Sequence, residues 1–173
     1  MQVTSYGLFW RADEIEWFPG KGNRNEFRLL GRVGKTRPKI KVADFRRQQG
    51  IYILSDEYGP AYVGLAMGDR LGNRLREHHS DHLEGKWDRF CWFGFNQVND
   101  EAGKDGVRTL SEPPVDLTED TSTTIKQLEA LLIAAMGPKL NVKKMKFGGA
   151  EKWEQIGYWE WKEVYQTRIT SEG

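Results

Sequence analysis

The chain reads as an α+β protein, a three-stranded antiparallel sheet flanked by helices, preceded by a β-rich basic extension. Three observations predict this. First, residues 50–54 (GIYIL) and 61–65 (AYVGL) are β-branched and aromatic runs on either side of the turn-forming DEYGP, the signature of a hairpin. Second, residues 89–95 (RFCWFGF) form an apolar run suited to a buried third strand. Third, two helices fit around these strands. Residues 69–84 carry Leu71 and Leu75 at i, i+4, and the segment starting with the caps of Thr121-Ser122-Thr123-Thr124 runs apolar to Met136 and stops at Gly137-Pro138.

The remaining segments follow in order. Residues 5–18 alternate enough for one or two strands, and Pro19-Gly20-Lys21-Gly22-Asn23 reads as a turn. Residues 27–33 read as a strand leading to a basic loop around Pro38. Residues 96–121 are acidic and poor in apolar side chains, with a Pro113-Pro114 pair, and read as a long loop. Residues 151–168 read as a short helix followed by a strand. With 173 residues the chain fits one domain. It divides into an N-terminal basic extension packed on the core (1–48), a core with a loop insertion near 96–121 (49–145) and a C-terminal aromatic extension (146–173).

Composition narrows the function classes. Cys91 is the single cysteine, so no internal disulfide forms, which favours a reducing compartment. The first 18 residues lack a basic region followed by an apolar run, so no signal peptide is expected. The longest apolar stretch, residues 130–136, is far too short to cross a bilayer. A cytoplasmic protein with no membrane partner is expected.

The net charge of +1 hides segregation. Residues 21–47 hold ten Lys or Arg against Glu26 and Asp44, a net of +8, and Lys139, Lys143, Lys144 and Lys146 form a second basic cluster. Residues 96–120 reverse the balance, with seven acids against Lys104 and Arg108. A segregated basic stretch suits a phosphate-backbone partner, although a solvated charged face produces the same pattern.

Several local patterns carry no chemistry. Residues 31–36 (GRVGKT) look like part of a phosphate-binding loop, but the required earlier glycine is Leu29 and Pro38 interrupts the helix that must follow. His78 and His82 are spaced i, i+4 without the HExxH order or a cysteine pair for zinc. Cys91 lies in an apolar run and is expected to pack rather than react.

Other residues fit together. Tyr52 and Tyr62 are separated by nine residues across the hairpin, and alternation lets paired strands present both phenols to one site. Arg74 and His78, four apart, share a helix face, and His82 extends it. Glu129 is the only polar residue in LEALLIAAM (128–136), where a bare carboxylate calls for a cation, a strong donor or an edge position; a divalent metal is a natural partner.

In this order and spacing, Gly50-Ile51-Tyr52, Tyr62-Val63-Gly64, the Arg74/His78 pair, Glu129 and Pro138-Lys139-Leu140-Asn141 resemble the GIY-YIG nuclease superfamily over about half the chain. The second motif has Val where the family has Ile. Arg74 matches the family arginine better than Arg76, because His78 follows it by one turn. The resemblance implies a metal-dependent DNA endonuclease hydrolysing phosphodiester bonds at a single site, of restriction, repair or anti-phage type, with RNA left open as a substrate. It implies Tyr52 as general base, Tyr62 as hydrogen-bond donor to water or phosphate, and Arg74 neutralising phosphoryl charge. It further implies His78 orienting the base or water or donating a proton, and one Mg²⁺ or Mn²⁺ held by Glu129. Gly64, Lys139, Asn141 and Lys143 would line the substrate path. A free phenol titrates near 10, so Tyr52 would need help to act as a base at neutral pH. One such site cuts one strand, so a double-strand break would require a homodimer or two sequential cuts. The alternative reading is a nucleic-acid-binding module without catalysis.

Overall fold

In the computed structural model, residues 3–20, 26–35, 40–68, 70–111, 121–136 and 149–166 are described. Nine strands form one mixed sheet: β1 (Ser5–Arg11), β2 (Leu30–Val33), β3 (Lys41–Asp44), β4 (Gly50–Asp56), β5 (Gly59–Ala66), β6 (Arg89–Gly94), β7 (Gln97–Ala102), β8 (Val107–Ser111) and β9 (Glu151–Gln155). Their order is β5-β4-β6-β1-β9-β2-β3-β8-β7. The helices are α1 (Leu71–Glu77), α2 (Thr121–Met136) and α3 (Tyr158–Glu160), which continues as a π-helical turn over Trp161–Gln166.

This corrects the expected fold class. The three strands read from the sequence are present and antiparallel, β5-β4-β6, but they are one end of a nine-stranded sheet rather than a three-stranded sheet flanked by helices. The physical reason is the free edge of β6. A buried strand with an open ladder edge must be paired or covered. Here β1 pairs antiparallel with β6, from Ser5↔Gly94 to Arg11↔Arg89, and β9 adds in parallel on the far side of β1. Segments 1–48 and 146–173 therefore supply interior strands of the same sheet.

Three further expectations are corrected. Residues 97–111 are not loop but a hairpin, β7 to β8, turned at Asp105-Gly106, where Gly106 has φ 76° and the Asp105 carboxylate accepts from the Val107 N–H at 3.1 Å. The first helix is shorter than the expected 69–84, since α1 ends at Glu77 and turns follow. In the C-terminal segment the strand precedes the helix, because Trp153 must enter the sheet beside Gly7.

Strands β4 and β6 are buried on both faces, as expected of central strands covered twice. On one face Tyr52, Leu54, Phe90 and Trp92 pack with Leu71 and Leu75 of α1 and with Trp10, Trp17 and Trp87. On the other, Ile53, Cys91 and Phe93 pack with Ala130, Leu131 and Ala135 of α2. The sheet thus separates α1 from α2. Cys91 is fully buried, and burial pushes its thiol up to about 11. It is expected to resist dithionitrobenzoate at pH 8 in native protein and to react at once in urea; rapid native labelling would show that the β6 ladder opens readily.

Among the described residues, no helix is long and apolar enough to cross a membrane.

Candidate active site

Strand pairing places the first two site residues. Tyr52 opposes Gly64, and Leu54 opposes Tyr62, so both phenols lie on the α1 face, with ring centroids 6.2 Å apart. Gly64 leaves the space that Tyr52 occupies: a Cβ at position 64 would lie 2.2 Å from Tyr52 Cζ. The glycine of the second motif is thus a requirement of the tyrosine of the first.

The helix brings the other two. The N–H groups of Leu71 and Gly72 donate to the carbonyls of Gln48 and Arg46, each at 2.9 Å, tying the start of α1 to the segment that enters β4. Leu71 and Leu75 enter the core, which aims Arg74 and His78 at the hairpin. The Tyr52 hydroxyl and His78 Nε2 are 2.8 Å apart, and His78 Nδ1 lies 2.7 Å from Asp81 Oδ2. The Leu83 N–H first, then the His78 ring, hold the Asp81 carboxyl below its ordinary range, so it is ionised at neutral pH. An ionised carboxylate only accepts, so in the neutral imidazole the hydrogen sits on Nδ1 and Nε2 accepts from the phenol. The result is a directed chain, Tyr52 to His78 to Asp81.

Asp81 is the residue that sequence reasoning missed. Its signal was present, three positions after His78, a spacing that fits one turn. His82, expected on the same stripe, is exposed and stands edge-on to Tyr62 at 6.5 Å.

Tyr52 and His78 are 0 % and 2 % exposed, so the relay runs beneath the surface and emerges at the part-exposed Asp81. Burial pushes the Tyr52 phenol up, and the Arg74 guanidinium opposes this. Arg74 also donates to Glu77 at 2.7 Å, and Arg70 donates to the same carboxylate at 3.1 Å. Arg76 points elsewhere, over the Phe27 ring at 5.1 Å, which separates it from the relay.

The remaining expectations divide. Position 129 lies on α2, where Ala130, Leu131 and Ala135 face the sheet and Leu132 and Met136 are exposed. The part that Glu129 would play as a metal ligand falls on a side chain outside the described residues. Lys139, Asn141 and Lys143 also lie outside the described residues.

The carboxylates around the relay already have partners. Glu77 is committed to two arginines and Asp81 to His78 and the Leu83 N–H, and among the described residues no group of three His, Cys, Asp or Glu is placed to hold a metal. Comparison of the chain with family models, curated proteins and solved structures finds no match.

Proposed function

We propose that this protein is an endonuclease that hydrolyses phosphodiester bonds of DNA at the α1 face of the sheet. The observation that carries the reading is the Tyr52–His78–Asp81 chain with Arg74 beside it. Hydrolysis needs a base for the attacking water and a cation for the charge that builds on the phosphoryl oxygens. Burial keeps the Tyr52 phenol protonated at neutral pH, so it accepts no proton from water unaided. With His78 as its acceptor, the phenol proton passes to Nε2 as the phenol oxygen takes one from water. The imidazolium formed is stabilised by Asp81. Arg74 supplies the bidentate guanidinium suited to phosphate, and the half-buried Tyr62 donates a hydrogen bond to a phosphate oxygen. In this reading the incoming phosphate replaces Glu77 as the partner of Arg74 and uncovers the phenol. The dependence on Mg²⁺ or Mn²⁺ implied by the resemblance is read by assay in either ion and in EDTA.

Two substitutions test the phosphate exchange. Arg74→Ala is expected to lower DNA cleavage about 10²-fold or more, the cost of removing a positioned donor to transition-state charge. Glu77→Gln is expected to act oppositely on binding, tightening affinity for a DNA duplex several-fold at low salt by releasing Arg74 and Arg70. A weaker complex for Glu77→Gln in a fluorescence-anisotropy titration would show that the pairs serve the fold alone.

The complete burial of Tyr52 favours a second reading, a DNA-binding module without catalysis. In that case the relay is a packed hydrogen-bond network, DNA binding persists, and cleavage is absent with either ion.

A further inference from the structure

The next residue along from the relay, His79, turns away from it into a separate cavity. This cavity measures about 500 Å³ and is lined by Arg11, Asp13, Trp17, His79, Trp87 and Arg89, with Ala12, Ile15 and Asp88 completing it. That volume falls in the range typical of small-molecule sites. The walls come from three segments, residues 11–17, His79 and residues 87–89, and are fixed by hydrogen bonds to the main chain. Ala12 N–H donates to the Asp88 carbonyl at 2.9 Å, Asp88 N–H to the Ser55 carbonyl at 3.0 Å, and the Trp17 indole to the Ala12 carbonyl at 2.8 Å.

The lining chemistry is specific. His79 lies between the rings of Trp17 and Trp87, with centroids at 4.6 and 4.9 Å. Burial, then the neighbouring His78, pushes the His79 pKa below its ordinary value, so it is a neutral aromatic wall. Its Nε2 is buried with no hydrogen-bond partner. Around these rings stand two guanidinium–carboxylate pairs, Arg11 with Asp13 and Arg89 with Asp88, the latter at 3.5 Å. Guanidinium groups donate to ring carbonyls and carboxylates accept from amino and imino groups, while indole and imidazole offer apolar contact. A flat heterocycle edged with alternating donors and acceptors satisfies all of these at once.

We propose that this cavity receives a single unstacked nucleobase of the nucleic acid whose phosphate lies against Arg74. The proposal rests on the phosphodiesterase reading for its choice of ligand. His78 and His79 are consecutive, so the turn after α1 carries one residue of the relay and one of the cavity wall. Stacking on aromatic side chains is a sequence-tolerant source of affinity for unpaired bases.

The test is binding, read separately from cleavage. Full-length protein with ¹⁵N-labelled tryptophan is titrated with dAMP, dGMP, dCMP and dTMP, then with deoxyribose 5-phosphate and inorganic phosphate as controls. The expected result is saturable movement of the Trp17 and Trp87 indole signals with at least one nucleotide and none with the controls. Arg89→Ala, a change at a half-exposed side chain, is expected to weaken that nucleotide about tenfold or more. No movement with any nucleotide, equal movement with phosphate alone, or unchanged affinity in Arg89→Ala overturns the proposal. Plasmid cleavage by the same preparation separates the two readings. Nucleotide binding without cleavage leaves the cavity and removes the nuclease; cleavage without nucleotide binding does the reverse.

Discussion

Gly50→Ala is expected to unfold the β4–β6 pairing at a cost of about 4 kcal/mol or more, the range reached only by severe mechanisms such as backbone clash. Gly50 has φ 154°, a conformation open to glycine, and a Cβ there would lie 1.9 Å from the Phe93 carbonyl oxygen. That oxygen belongs to a backbone paired on both sides, by β4 and by β1, so it cannot retreat without breaking a ladder. Gly50 also sits where β4, β6 and the Gln48–Asn96 bonds converge, with Asn96 N–H donating to Gln48 Oε1 at 2.8 Å. Urea unfolding followed by circular dichroism measures the loss. A cost under about 1 kcal/mol would mean that the β4 start is free to shift. The first glycine of the motif is thus assigned to sheet assembly, not to chemistry.

Tyr52→Phe is expected to lower cleavage by about 10²- to 10⁴-fold, the usual contribution of a positioned acid or base. The ring remains and still fills the space over Gly64, so packing is kept. Removal of the hydroxyl leaves His78 Nε2 buried without its partner, at a cost of about 1–3 kcal/mol in stability. Folding is therefore checked by thermal melt, and DNA affinity by anisotropy, before turnover is compared. Asp81→Asn separates relay from packing. An amide can still bond Nδ1 but no longer stabilises an imidazolium, so kcat should fall with KM nearly unchanged, and its pH profile should shift. Equal activity of wild type and both variants would assign the network to structure alone.

How much of this was legible in the sequence depends on range. The hairpin of β4 and β5, the apolar run of β6 and the second helix are local patterns, and they stand where the residues put them. The neighbours of β6 are not local. Nothing in SYGLFWR announces pairing with residues 89–94, eighty positions on, or that β9 would insert on its other side. The hairpin of β7 and β8 was legible and was outweighed by acidic composition; its Asp105-Gly106 turn is an ordinary hairpin signal. In the site, spacing paired Tyr52 with Tyr62 and Arg74 with His78, the resemblance put the two pairs in one site, and the four are neighbours in the structure. Glu129 was chosen because its neighbours are apolar. Those neighbours face two ways, some to the sheet and some to the exposed side of α2, and a linear reading of LEALLIAAM does not distinguish them. Asp81 lies past the end of α1, in turns that the expected helix over 69–84 did not show.

The most direct test of the account is a cleavage assay on supercoiled plasmid with wild type and Tyr52→Phe side by side, in Mg²⁺, in Mn²⁺ and in EDTA, at equal DNA affinity. The account predicts nicked or linear product from wild type in at least one condition and at least a hundredfold less from the variant. Intact plasmid with wild type in every condition, or equal product from both proteins, would contradict it.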